Sequence, residues 1–553
     1  MPRLSQFGRI ASERIQRLRN NYHINRLATQ VNTHTYPDPE IKPVLFFNAS
    51  TRLVGLSLNA AFALLSSWAV RLQKVPVVQF VCQSGMSRCV LGTDRNDFDK
   101  NPPCKACTAQ SRWLFSTVLA IPFTYQADPE LIKLIGDQSL DDLKAFQYRF
   151  PNGLGAEQKS ATEMQLPLGE LVLPSIRWVL RRHHLEDNEA TRFLYREYIL
   201  SASRVAAEFS KALDMTGPQA VVLFNGQFFP EATARWIAKQ RGIRTITHEV
   251  GLQPLSAFFT TGEATVYPLQ VPEDFELSED QNARLDAYLS QRFQGEFSMA
   301  GVDFWPQMEG LDEGLLQKAA NFRQIVPVFT NVIFDTSQPH SNVVFPHMFA
   351  WLDLVLKFVR DHPETLFVLR AHPDEDRPGK ASQESVSQWV DQKQATSLTN
   401  LVFVAPSHPL SSYELIQRSK FVMVYNSTIG LEASIMGKPV LCAGRARYTQ
   451  LPTVFFPSTP QEFSAQAEIF LTAGTISVPA EFKHNARRFL YYQLYRSSLP
   501  FNEYLEAAQM PGFVRLRKFS SLQLSPEISP TMRVLIDGIL KGGSFLLGDE
   551  PHE

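Results

Sequence analysis

What most restricts the fold of this chain is a rhythm: short apolar runs alternate with helix-length segments, and they do so in two separate series. In the later series the pattern predicts strands over 326–330, 366–370, 401–404, 421–425 and 439–441, with helices over 345–361, 411–419 and 428–436. The earlier series reads as a strand at 43–47, a helix from 53, a strand at 75–82, then strand 220–224, helix 230–241 and strand 244–247. Repeated strand–helix–strand units imply parallel sheets covered on both faces. A chain of 553 residues has room for two such cores. The expected fold is therefore α/β, with two Rossmann-like domains facing a cleft. Residues 1–40 read as a basic amphipathic helix, 41–300 as the first domain with a cysteine-rich insertion, 301–480 as the second, and 481–553 as C-terminal helices and tail.

Composition excludes more than it identifies. With 44% hydrophobic and 20% charged residues the chain is ordinary for a globular protein, and a net charge of −1 gives it no general pull toward nucleic acid. The longest apolar stretch, 53–70, is broken by Gly55, Ser57, Asn59, Ser66 and Ser67 and is followed by Arg71, so it reads as a buried helix rather than a membrane span. The N-terminus lacks the apolar core and cleavage site of a secretory signal, which predicts a cytoplasmic location. Between 4 and 30, apolar residues at helical spacing alternate with arginines; that helix either packs on its own protein or rests on an anionic membrane surface. In a reducing compartment the cluster Cys82, Cys89, Cys104 and Cys107 suits four-thiolate structural zinc, with an iron–sulfur cluster or unliganded thiols as alternatives.

Two strand ends in the second domain carry the chemistry. Asn426, Ser427, Thr428, Gly430 and Glu432 lie where a strand gives way to a helix, so free N–H groups and hydroxyls face the crevice at the C-terminal edge of the sheet. That arrangement seats a phosphate, and Glu432, a turn further on, is placed to accept from ribose hydroxyls. The bland alternative is a helix capped by Ser427 with Glu432 solvated. Arg370-Ala371-His372-Pro373 ends the neighbouring strand at the same edge, and His372 is suited to give a hydrogen bond or a proton to a departing phosphate. Asp335 follows the first strand of this domain and either serves as a base or binds donor, or caps its own turn. In the first domain His248 and Glu249 end a strand that faces the cleft and are candidates for the base that activates an acceptor hydroxyl. Asn225-Gly226 and Ser50-Thr51-Arg52 end other strands there.

The segments TNVIFDTS, FAWL, LRAHPDE, NSTIGLEASIMGKPV and ARRFLYY, spread over about 320–505, resemble the bacterial capsule and surface polysaccharide biosynthesis proteins of the GT-B glycosyltransferase fold. In relatives such as capsule Kdo transferases and bacterial sialyltransferases, a His-Pro motif and a hydroxyl-rich helix start bind the nucleotide and phosphate of a CMP-sugar. The resemblance thus implies His372, Ser427 and Thr428 as donor-site residues, a nucleotide-sugar donor, a glycan or lipid-linked acceptor, and a late helix near Arg487 and Arg488 that crosses back to the first domain. It leaves the sugar open, since related folds use UDP-, GDP- and CDP-linked donors. A CDP-polyol phosphotransferase, a sugar-nucleotide 2-epimerase and a non-catalytic scaffold stand as alternatives.

Overall fold

The computed structural model describes residues 2–49, 55–150, 165–295, 298–299, 302–303 and 308–548; Ser50, Thr51 and Arg52 lie outside that set. Two sheets organise the chain. The first runs from edge to edge as Leu499–Pro500, Ser256–Thr261, Arg244–Val250, Ala220–Phe224, Val44–Asn48, Val77–Cys82 and Leu119–Phe123. The second runs Leu401–Val404, Thr365–Arg370, Gln324–Phe329, Val422–Val424 and Val440–Cys442, with every pair parallel. Numbered along the chain, the five parallel strands of each sheet stand in the same order, 3-2-1-4-5. A sheet wound this way reverses direction beside its first strand. The loops leaving strands one and four therefore diverge, and a crevice opens at their carboxyl ends.

The central strands are apolar throughout because both of their faces are covered. Val44, Leu45, Phe46 and Phe47 are all buried, as is every residue of Thr365–Arg370. Phe46 is fully buried in the first core, so Phe46→Ala would cost about 3–5 kcal/mol. The helix Leu58–Leu72, capped by the Ser57 hydroxyl on the Ala60 N–H at 3.2 Å, is buried almost all round. One side packs on the first sheet and the other lies under the helices Pro2–His34 and Pro530–Lys541, which accounts for its apolar run. Among the described residues no helix is long and apolar enough to cross a membrane. The N-terminal helix is split in use: Ile24, Leu27, Ala28 and Val31 are buried in the first core, whereas Ile15, Leu18 and Tyr22 are exposed.

The end of the chain returns to its beginning. Helix Ala480–Tyr491, extended by the turn Tyr492–Arg496, packs on helix Ile429–Ile435 of the second domain. The next strand, Leu499–Pro500, pairs antiparallel with Ser256–Thr261 in the first sheet. Helix Pro530–Lys541 then seats on the first domain, where Arg244 Nη1 donates to the Gly538 carbonyl at 2.6 Å. The architecture is thus two Rossmann-like domains with C-terminal helices crossing back, as the sequence rhythm and the resemblance imply.

Candidate functional site

At the switch point of the second sheet, the ends of strands Gln324–Phe329, Thr365–Arg370 and Val422–Val424 converge on a cavity of about 110 Å³. Arg370, His372, Ser427, Thr428 and Glu432 all line it. Arg370 is the last residue of its strand and is 4% exposed; its Nη2 donates to the His408 carbonyl at 3.4 Å. Burial lowers its pKa to about 10, which leaves it cationic at neutral pH. His372 Nδ1 accepts from the Asp374 N–H at 3.1 Å, so the ring proton sits on Nε2. Burial lowers the His372 pKa against the opposing pull of Asp374 and Asp335, and Arg370 adds to the lowering. The ring is neutral at pH 7 and offers Nε2–H as a hydrogen-bond donor.

The helix Ile429–Ile435 begins without a side-chain cap. The hydroxyls of Ser427 and Thr428 are therefore not spent on the helix, and they stand at the pocket wall. Gly430 serves packing: a Cβ there would lie 2.2 Å from the Tyr448 hydroxyl, which itself donates to the Ser427 carbonyl at 2.8 Å. Asn426 ties the two switch-point loops together, its Oδ1 accepting from Asn331 Nδ2 at 2.7 Å and its Nδ2 donating to Ser341 Oγ at 2.6 Å. Glu432 corrects the sequence expectation. It is neither solvated nor held ready for a ribose: Oε1 accepts from Arg292 Nε at 2.9 Å and Nη2 at 2.7 Å, and Oε2 accepts from the Tyr413 hydroxyl at 2.5 Å. The carboxylate is the buried counter-charge of Arg292, whose pKa it raises.

A second cavity, of about 370 Å³, opens between the domains. Asn225, His248 and Glu249 reach it from the first sheet, and Asp335, Thr336 and Lys380 from the second domain. Asn225 holds the left-handed region, φ 51, at the end of its strand and donates from Nδ2 to Glu249 Oε2 at 3.1 Å. The other Glu249 oxygen accepts from the Val250 N–H at 3.0 Å. Burial nonetheless raises the Glu249 pKa, and Asp335 adds to the rise. His248 is a different case. It is 1% exposed among the rings of Phe62, Phe224 and Phe259, and burial drops its pKa to about 3, which makes it too weak a base for the role the sequence suggested. Asp335 Oδ1 accepts from the Ser337 N–H at 2.8 Å, the turn-capping arrangement, while its exposed carboxylate lies near enough to Glu249 and His372 to influence both. Arg292, Tyr413 and Lys380 escape a reading of the sequence because they stand on helix Glu279–Phe293, helix Ser412–Arg418 and a turn, none of which carries a motif of its own.

Cys82, Cys89, Cys104 and Cys107 line one small cavity of about 20 Å³, and burial pushes the thiols of Cys82 and Cys89 up to about 12. Cys82 Sγ accepts from the Gly85 N–H at 3.1 Å. Among the described residues no group of three or more His, Cys, Asp or Glu side chains is arranged to hold a metal ion.

Residues 316–452 match the family model described as capsule polysaccharide biosynthesis protein. A search of curated proteins finds no match. Among solved structures, the β-Kdo 2,7 transferase KpsC of Thermosulfurimonas dismutans aligns at 16% identity over 56% of this chain and 85% of that one, with a TM-score of 0.30. The β-Kdo 2,4 transferase KpsC of the same organism aligns at 11% over 51% and 80%, with a TM-score of 0.32. A UDP-GlcNAc 2-epimerase from Neisseria meningitidis, bound to UDP-GlcNAc, aligns at 12% over 81% and 96%, with a TM-score of 0.23. Overlaps this loose assign neither substrate nor residue roles. Residues 316–452, which build most of the switch-point pocket, are similar to the capsule polysaccharide biosynthesis proteins, the family that the motifs of the sequence resemble.

Proposed function

We propose that the protein is a glycosyltransferase of surface polysaccharide assembly. In this reading the second domain, 301–480, binds a nucleotide-activated sugar, the first, 41–300, binds a glycan or lipid-linked acceptor, and the sugar crosses the cleft between them. The observation that carries the reading is the pocket where a cationic Arg370, the His372 Nε2–H and two hydroxyls unspent by the helix all face one space. Every one of these groups donates to an oxyanion. They stabilise charge as it develops on the leaving phosphate, which is where binding energy lowers a barrier. Glu249, held at the cleft by Asn225 with its pKa raised, takes the proton of the acceptor hydroxyl as its oxygen attacks the sugar carbon and the bond to phosphate breaks.

A CMP-linked donor is the finer form of the reading. A thermal-shift panel of CMP-, UDP-, GDP- and CDP-linked sugars tests it: at least one should raise Tm in the wild type, and a flat response to all of them would contradict it. A 2-epimerase would convert the donor without any acceptor, and a CDP-polyol transferase would move a phosphate with the polyol, so the products separate these chemistries. Two further parts rest on single features. The four cysteines line one cavity although, among the described residues, no three of them are arranged to hold a metal ion, so structural zinc rests on their spacing in the sequence and is tested by metal analysis with and without Cys104 and Cys107. Exposed Ile15, Leu18 and Tyr22 beside Arg14, Arg17 and Arg19 support a peripheral contact with the cytoplasmic membrane face, to be tested by sedimentation with anionic vesicles.

A further inference from the structure

Arg181 is a buried cation without a counter-charge. It follows helix Leu168–Leu180 in the left-handed region, φ 57, where a helix commonly ends on glycine, so an arginine there is held against its backbone preference. It is 3% exposed, and its guanidinium carbon lies 4.2 Å from the ring centre of Trp178 and 4.9 Å from that of Phe334. Nε and Nη1 are buried and have no hydrogen-bond partner. Nη2 reaches only the Gly379 carbonyl, at 3.5 Å, and Arg95 Nη1 donates to that same carbonyl at 3.1 Å. Two guanidinium groups thus share one neutral acceptor, and Lys380 is the next residue. The nearby Glu384 is already engaged by the backbone N–H groups of His183 and His184 and by the His184 ring. Burial and the charge of Arg95 lower the Arg181 pKa to about 9. A buried charge and three unmet N–H donors are costly unless something supplies the missing oxygens.

We propose that Arg181, with Arg95 and Lys380, forms an oxyanion subsite at the edge of the interdomain cavity, and that it takes the acidic group of the acceptor, either the carboxylate of a sugar acid or a phosphate ester. This rests on the assignment of donor and acceptor sides made above. Trp178, which Arg181 covers, and Lys380 line the cavity that holds Glu249, whereas the donor phosphate has Arg370 and His372 in the other pocket. Trp178 belongs to the first domain and Phe334 and Gly379 to the second, so the acidic group enters when the domains part and its charge then favours their closure.

Calorimetric titration of the full chain with D-glucuronate, glycerol 3-phosphate and glucose tests the subsite. One of the two anions should bind the wild type and glucose should not; Arg181→Met should weaken that binding by about tenfold or more, and Arg95→Gln, at an exposed position, should weaken it less. The anion that binds distinguishes carboxylate from phosphate. Without anion, the Tm of Arg181→Met should equal or exceed that of the wild type, because an unbalanced charge has been removed. Failure of both anions to bind at tens of millimolar, equal binding by Arg181→Met, or a marked fall in its Tm would overturn the subsite. A nucleotide-sugar shift measured in parallel separates the two readings: its absence with anion binding intact would count against the donor assignment alone.

Discussion

In the proposed reaction His372 and Glu249 have complementary parts, the first as a neutral hydrogen-bond donor to the leaving phosphate and the second as the carboxylate that accepts the acceptor's proton. His372→Ala should lower kcat by about 10²–10³ with circular dichroism unchanged, and a full-activity variant would remove the residue from the site. Glu249→Gln should lower kcat by about 10²–10⁴ while leaving the donor-induced thermal shift intact. Because the Glu249 pKa is raised, the acidic limb of the wild-type kcat/KM profile should fall above the usual carboxylate range. Glu375, three residues after His372, gives a stability counterpart. It is 1% exposed, and burial raises its pKa to about 8. The folded value exceeds the unfolded value of about 4.3, so the stability it confers is complete below that pH and is lost as pH climbs through 8, at up to ~1.4 kcal/mol per unit. Denaturant titrations of Glu375→Gln between pH 5 and about 8 should show a shallower decline than the wild type. The placement of His372, Ser427 and Thr428 at one pocket was legible because a strand end and a helix start are local patterns. Glu432 was not, since its partner Arg292 lies 140 residues away, and neither was His248, since its phenyl walls come from separate elements.

The elements themselves followed the apolar rhythm closely: the helix read over 230–241 is Phe229–Gln240, and the helix read over 428–436 is Ile429–Ile435. The strand Leu119–Phe123 escaped because only Phe123 is buried there and Pro122 interrupts the pattern, as an edge strand permits. The short helix Ile429–Ile435 is held by what surrounds it rather than by its own caps. Arg292 from helix Glu279–Phe293 clamps it through Glu432, and Tyr448 presses on Gly430. Arg292→Met leaves a buried carboxylate unpaired and should cost about 3–5 kcal/mol by denaturant unfolding. Adding Glu432→Gln should recover part of that loss, and strict additivity of the two substitutions would show that they do not act as a pair.

At the scale of the molecule, the parallel series of strands and helices made two domains readable, but not the contacts that hold them face to face. Glu384 of the second domain accepts from the His183 and His184 backbone N–H groups at 2.8 and 2.9 Å, and Glu263 of the first meets His340 of the second at 2.7 Å. No local pattern announces such pairs, which form only when two folded surfaces meet. Glu384→Ala strips two backbone donors of their acceptor and should enlarge the radius of gyration measured by X-ray scattering, whereas unchanged scattering would show the contact is dispensable. The two switch-point pockets make distinct claims on a ligand, and a structure of the complex with a donor nucleotide decides between them. The expected result places a phosphate oxygen within hydrogen-bond reach of His372 Nε2 and of the Ser427 or Thr428 hydroxyl, with the sugar directed toward Glu249. A nucleotide seated instead at the first sheet, beside Asn48 and Asn225, would contradict the assignment.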